Sequence, residues 1–192
     1  MKSTKRTLIT APTVDLVTVA QLKDHLRIDA TDEDDDIKQL CGDAYGHIET
    51  ILWRSLLAQT WDVYFDGFAS KLWIPLPPLS SITSIKYYDT SSVQQTVTAS
   101  VYEISSRDDV GFVRLAYDQT WPSDVRGHPD DVVVRCVTGY GTAATDVPAS
   151  IRHAVKMLAG DLYENREAST DLKLMELLVY RGLLLPYQVR EC

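Results

Sequence analysis

No stretch of these 192 residues reaches the roughly 18 consecutive apolar residues that a membrane-spanning helix needs. Lys2, Lys5 and Arg6 have no apolar segment behind them, so no secretory signal is expected. The plain expectation for that cluster is a frayed, solvated end. Cysteine is scarce: Cys41, Cys136 and Cys192 are odd in number and far apart. That argues against a disulfide framework and suits reduced thiols in a cytosolic protein. Cys41 falls on an apolar helix face and Cys136 in an apolar strand, so both are expected to be small core residues. Positive charge is short everywhere. The net charge is −8, and residues 1–57, 58–145 and 146–192 each hold fewer basic than acidic residues. A basic footprint for gripping phosphates is therefore missing.

Catalytic and metal-binding patterns are missing too. His25, His47, His128 and His153 are widely spaced and form no HxxxH or HExxH, and the cysteines form no CxxC. There is no GxSxG elbow and no cysteine in a recognisable catalytic context. No catalytic residue, cofactor or metal ligand is assigned, and the chain is not expected to be an enzyme.

What is present is a globular balance of 45% hydrophobic and 24% charged residues. Thr18, with Gln21 three residues on, forms a possible capping box for a short helix over 18–27. Ile37, Leu40, Cys41, Ala44, Tyr45, Ile48, Ile51 and Leu52 keep the helical period unbroken, predicting a long helix over 34–53. The middle third alternates instead. Trp61, Val63 and Phe65 point to one face, Leu72, Ile74 and Leu76 repeat the pattern, and Pro75, Pro77 and Pro78 then break any ladder. Further strands are expected at 84–88, 101–105, 111–115 and 132–138, with turns at 89–92, 107–109 and 127–131. Asp146 and Pro148 mark a helix start, with Ile151, Ala154, Val155, Leu158 and Leu162 on its apolar face. Ser169 or Thr170 could cap one more helix carrying Leu172, Met175, Leu178 and Val179, ended by Gly182.

The predicted fold class is α+β. N- and C-terminal helices form a helical bundle around a central antiparallel β insertion, a small sandwich or barrel-like sheet. The expected segments are an N-terminal arm (1–17), N-terminal bundle helices (18–57), the β region (58–145), a C-terminal bundle helix (146–168), and a last helix with an apolar tail (169–192).

Four features invite a functional reading. Asp32, Asp34 and Asp36 match the first ligands of an EF-hand. However, Ile37 stands where its glycine should be and Asp43 where its bidentate glutamate should be, so a helix start is expected. The exposed residues there, Asp32, Asp34 and Asp35, remain candidates for an acidic contact surface. Thr138-Gly139-Tyr140-Gly141-Thr142 lacks both phosphate-loop patterns and is expected to be a strand-to-helix connection whose glycines permit positive φ. Tyr64, Trp73, Tyr87, Tyr88 and Trp121 could anchor an interface or fill a small core; Trp73 and Tyr88 are the interface candidates among them. Leu183-Leu184-Leu185-Pro186-Tyr187, with Arg190 beyond, is strongly apolar and should pack on its own domain or on a neighbour.

The order of these elements carries a resemblance. Leu22-Lys23-Asp24-His25-Leu26-Arg27-Ile28-Asp29, an acidic stretch and Ile37 resemble the opening of the head–tail connector (adaptor) proteins of long-tailed bacteriophages. Ala44 through Glu49 with Arg54, Leu57 through Trp61, and Ile74 through Leu79 with Ile82, Ile85 and Tyr87 are similar to successive segments of that family. Trp121-Pro122, Val132–Val137, Thr138 through Gly141, Val147-Pro148 and Ile151 through Arg166 continue it, and the segment 172–190 is similar to the tail of some members. Trp53 departs from the pattern, since the family often has a small residue before the arginine.

The resemblance implies a structural virion protein. Such subunits form a ring, commonly a dodecamer, between the portal protein and the next stopper or tail-joining protein. DNA passes through the channel without sequence-specific binding. The expected location is the head–tail interface of the virion, and the host cytoplasm during assembly. The alternatives are a stopper or tail terminator or, from another class, a small enzyme or binding module encoded in a prophage.

Overall fold

The computed structural model describes residues 3–107, 110–165 and 182–189. The chain divides into two compact units, one of residues 1–12 and 58–140, the other of residues 13–57 and 141–192.

The first unit is built on strands. Its larger sheet has the order β1 (Lys5–Thr10), β2 (Gln59–Phe65), β8 (Val132–Thr138), β4 (Leu79–Tyr88), β5 (Gln94–Thr96), and every pairing is antiparallel. A smaller antiparallel sheet runs β3 (Lys71–Trp73), β7 (Val110–Leu115), β6 (Tyr102–Arg107). Both sheets are open, so the barrel-like alternative does not hold. They share one core: Val63, Phe65, Ile85, Val132 and Val134 from the larger sheet bury with Leu72 and Val113 from the smaller. β8 is the central strand, paired with β2 on one edge and β4 on the other, and its residues alternate buried and half-buried because one face of the sheet meets the core.

Two expectations change here. The N-terminal arm is not frayed: Lys5 to Leu8 pair with Tyr64 to Trp61, and Lys5 and Arg6 lie over the Tyr64 and Trp61 rings. Lone basic residues read as solvated only while the partner strand is out of view. The run ending at Leu76 forms a strand only over Lys71–Trp73, because Pro75 has no N–H to donate.

Polar groups close this unit. On β2, Asp62 is buried, and Arg135 directly opposite on β8 grips both its oxygens at 2.7 Å. The fully buried Asp131, at the entrance of β8, takes Arg126 Nη2 at 2.6 Å and the His128 backbone N–H at 2.5 Å. Burial pushes the Asp131 carboxyl up, but those hydrogen bonds and charges outweigh it and hold it below the ordinary carboxylate value.

The second unit is helical. α1 (Val19–Leu26) starts on the expected capping box: the Gln21 N–H donates to Thr18 Oγ1 at 3.3 Å, and the Thr18 N–H donates to Gln21 Oε1 at 3.2 Å. α2 (Asp34–Leu52) buries Ile37, Cys41, Ala44, Ile48 and Leu52. α3 (Ala149–Glu164) buries Ile151, Ala154, Val155 and Leu158, with Pro148 at its N-cap. α2 packs along α3, and α1 against both. Gly160 permits the close approach of α1, since a Cβ there would stand 3.2 Å from Leu26.

Thr138–Thr142 is a connection, and its two glycines serve different needs. Gly139 takes φ +116, whereas a Cβ on Gly141 would meet the Asp146 carboxylate. The helix expected from 169 lies outside the described residues up to 181. Gly182, expected as a helix end, is itself in helical residues 182–184, and a 3-10 turn follows at Leu185–Tyr187.

Asp131→Asn should destabilise the chain by about 2–3 kcal/mol in urea unfolding near pH 7, because it removes the charge from a buried, hydrogen-bonded pair. The folded pKa lies below the unfolded one. The gap between parent and variant should therefore persist above an unfolded carboxylate pKa of about 3.9 and shrink as pH falls through the folded value. A gap independent of pH from 7 to about 2 would contradict this.

Candidate functional site

The acidic run is a helix start, as its missing glycine indicates. Asp34, Asp35 and Asp36 occupy the first turn of α2, where carboxylates favour the positive end of the helix dipole. Two of the acids are structural. Asp34 Oδ1 takes Lys23 Nζ of α1 at 2.6 Å, and Glu33 Oε2 accepts the Tyr163 hydroxyl of α3 at 2.6 Å. They tie all three helices at one end. Asp34 is thus half-buried and paired within its own unit, while Asp32 and Asp35 are exposed. Beside them a groove of about 340 Å³ opens between α2 and α3, lined by Asp36, Gln39, Leu40, Leu162, Tyr163 and Asn165.

The other end of α2 has a different chemistry. Trp53 caps the helix in the left-handed conformation at φ 54, its N–H donating to the Glu49 and Thr50 carbonyls. Glycine suits that position, and a residue with a Cβ costs about 1 kcal/mol or more there. The residue is nevertheless 61% exposed. Next to it Arg54 is buried, and its Nε donates to the Tyr187 carbonyl, which holds the C-terminal segment on this unit. Glu49 Oε1 accepts the Leu56 N–H at 2.7 Å and the Tyr45 hydroxyl at 2.7 Å, which fixes the chain as it leaves the helix.

The apolar tail is therefore split. Leu184 is 2% exposed and belongs to the core of its own unit, so it is withdrawn as an interface residue. Leu183 and Tyr187 are half-buried, Pro186 is exposed and Leu185 is 65% exposed. Sequence alone cannot divide three consecutive leucines, because two lie on helical residues and the third begins the 3-10 turn at Leu185–Tyr187. Arg190 lies outside the described residues.

Among the β-unit aromatics, Tyr87 is buried and Trp121 donates its Nε1–H to the Ala69 carbonyl at 2.9 Å. Trp73 packs on Phe112 with ring centroids 4.8 Å apart and Lys71 Nζ over both rings. Tyr88 lies under the Arg126 guanidinium, 5.2 Å from the ring centroid. Trp73 and Tyr88 are thus half-buried by local packing. The aromatic that stands out, Tyr117 at 94% exposed, follows β7 beside Asp118 at φ 57. Its signal in the sequence is a Tyr-Asp pair in a short polar turn, easily passed over.

The groups that might carry chemistry do not converge. His25 and His153 face each other edge to face at 6.3 Å, but no group of three metal-binding side chains forms among the described residues. Burial pushes the Cys41 thiol up to about 11 and the Cys136 thiol up to about 12, so neither forms a thiolate near neutral pH.

No protein-family model matches the sequence, and no curated protein matches it. Solved structures do. A chain in the neck of an empty gene transfer agent particle, computed with C6 symmetry, superposes with a TM-score of 0.82 at 17% identity, covering 98% of this chain and 97% of that one. A chain of the virion of a native gene transfer agent particle gives 0.81 at 18% identity, covering 97% and 96%. A chain in the neck of the native particle, computed with C12 symmetry, gives 0.79 at 17%, covering 98% and 97%. At these identities the likeness establishes the α+β fold over nearly the whole chain.

Leu184→Ala should cost about 2–4 kcal/mol of stability, whereas Leu185→Ala should stay within about 0.5 kcal/mol, as read by urea unfolding of each variant. Equal losses at the two positions would mean that the division of the tail is wrong.

Proposed function

We propose that the chain is a non-enzymatic structural subunit of a ring at the head–tail junction of a phage-like particle. The ring joins the portal vertex to the tail and extends the DNA channel. The observation that carries this reading is the end-to-end fold likeness to neck chains of gene transfer agent particles, one of them solved with C12 symmetry.

In this reading identical subunits meet head to tail, one face of each against a different face of the next. The helical unit builds the wall. The tail, with Leu185 and Pro186 outward, reaches the portal or an adjacent subunit. The net charge of −8 suits a channel along which DNA slides, because a negative wall repels phosphates. The next tail-joining protein docks on the completed ring.

Cryo-electron microscopy of assembled particles tests the assignment. A ring of this chain seated against the portal is expected. A ring separated from the portal by another protein would make it a stopper or tail terminator instead. Leu185→Ser leaves the buried part of the tail intact and should reduce tail-joined particles several-fold if the exposed part docks. Tail joining at the parent level would remove the tail from the interface.

A further inference from the structure

Charge divides unevenly between the two units. The helical unit holds seventeen acidic against ten basic residues, whereas the β unit is nearly balanced, with ten against nine. Within the β unit the side chains are sorted by face. Val63, Phe65, Ile85, Tyr87, Val132 and Val134 turn one face of the larger sheet towards the core, so the residues between them lie on the other. The register places Lys5, Tyr64, Val133, Lys86 and Thr96 side by side across all five strands of that outer face, with Asp62 and Arg135 in the next row. The smaller sheet packs on the core face, and among the described residues of the unit no element packs on the outer one. Lys5, Ser84 and Thr96 are exposed there, and Tyr64, Val133 and Lys86 are half-buried.

The outer face is positive. Asp62 and Arg135 neutralise each other through two bonds of 2.7 Å. Lys5 lies over the Tyr64 ring, and neither it nor Lys86 meets a carboxylate among the described residues. With strands about 4.8 Å apart, Lys5 and Lys86 stand about 14 Å from each other, with Tyr64 and Val133 between them. Two cations around an apolar centre suit a protein surface of opposite charge better than a phosphate backbone, which is gripped by many cations.

The helical unit of another copy is such a surface. Subunits of like charge repel, so copies of a chain at −8 must place opposite charges where they meet. Asp36 and Asp43 are exposed and stand two turns apart on one side of α2, about 10 Å along its axis. Neither has an ion-pair partner among the described residues. Flexible lysine stems cover the difference between the two spacings.

We infer that the outer face of the larger sheet of each subunit receives the helical unit of the next copy of this chain, with Lys5 and Lys86 meeting Asp36 and Asp43 across the contact. This rests on the ring reading above and names the faces that meet. The contact is heterologous, as a closed ring of more than two identical subunits requires.

A charge swap in the full chain tests it. Lys5→Glu with Lys86→Glu puts like charges across the contact, and Asp36→Lys with Asp43→Lys does the same from the other side. Each pair alone should raise the concentration for half-maximal ring formation on the order of ten-fold, as followed by native mass spectrometry with and without the portal protein. Combining all four substitutions in one chain, or mixing the two double variants, restores opposite charges and should bring assembly back to within about three-fold of the parent. A chain that had merely failed to fold would not be rescued by substitutions in its other unit. Parent-like assembly of either double variant, or no rescue in the combined chain, overturns the pairing and leaves the ring reading standing. Lysine variants that form parent-like rings but lose affinity for a duplex DNA fragment reveal a phosphate contact and overturn it too. A parent chain that forms no ring, alone or with the portal protein, overturns both.

Discussion

The unbroken apolar stripe of α2 is the constraint on which the helical unit depends. Ile37, Cys41, Ala44, Ile48 and Leu52 are all buried, and burying that stripe requires α3 along one side and α1 across it. At about 25 cal/mol per Å² of apolar surface, burial on this scale outweighs any single ion pair in the unit. The polar contacts then decide how the ends are finished. Glu33 and Asp34 draw α3 and α1 to the start of the helix, and Arg54 draws the C-terminal segment to its end. The two ends of α2 are therefore finished differently, one by carboxylates and the other by an arginine.

The β unit rests on a different kind of order. β8 is paired on both edges, so its register is set twice, and the buried carboxylates of Asp62 and Asp131 each meet a partly exposed arginine. Charge-assisted bonds of this kind add modest net stability, but a shifted register would break them at high cost. The sheets are therefore fixed by both apolar alternation and paired charge, while the surface they show carries half-buried aromatics already engaged with Lys71, Arg126 and Phe112.

What was legible in the sequence followed the period of its apolar residues. α2 and α3 repeat at the helical period with few interruptions, and the Thr18–Gln21 box marked the start of α1 to the residue. β8 showed itself as an apolar run, and Gly139 as a point that needs positive φ. Signals that depend on a distant partner were not legible. β1 is mostly exposed and contains Lys5 and Arg6, so only the presence of β2 identifies it as a strand. β5 is three polar residues, and Asp62 reads as outward until Arg135 is placed opposite. The surface was least legible of all. Three consecutive leucines differ in burial because a helix passes into a 3-10 turn between Leu184 and Leu185, and the groove exists only once α2 and α3 are side by side.

The pairing of β1 with β2 has a consequence for the order of synthesis. The first strand of the sheet leaves the ribosome before the whole of α1 and α2, yet its partner follows them. Closing that long loop carries an entropic penalty that only later contacts can offset, so this pairing belongs to the slow, non-local part of folding. Until residues 59–65 emerge, the backbone groups of β1 that will pair with β2 are open to other chains. Lys5 and Arg6 next to them then act as gatekeepers, keeping nascent copies apart by like charge before they ever meet the rings of Tyr64 and Trp61.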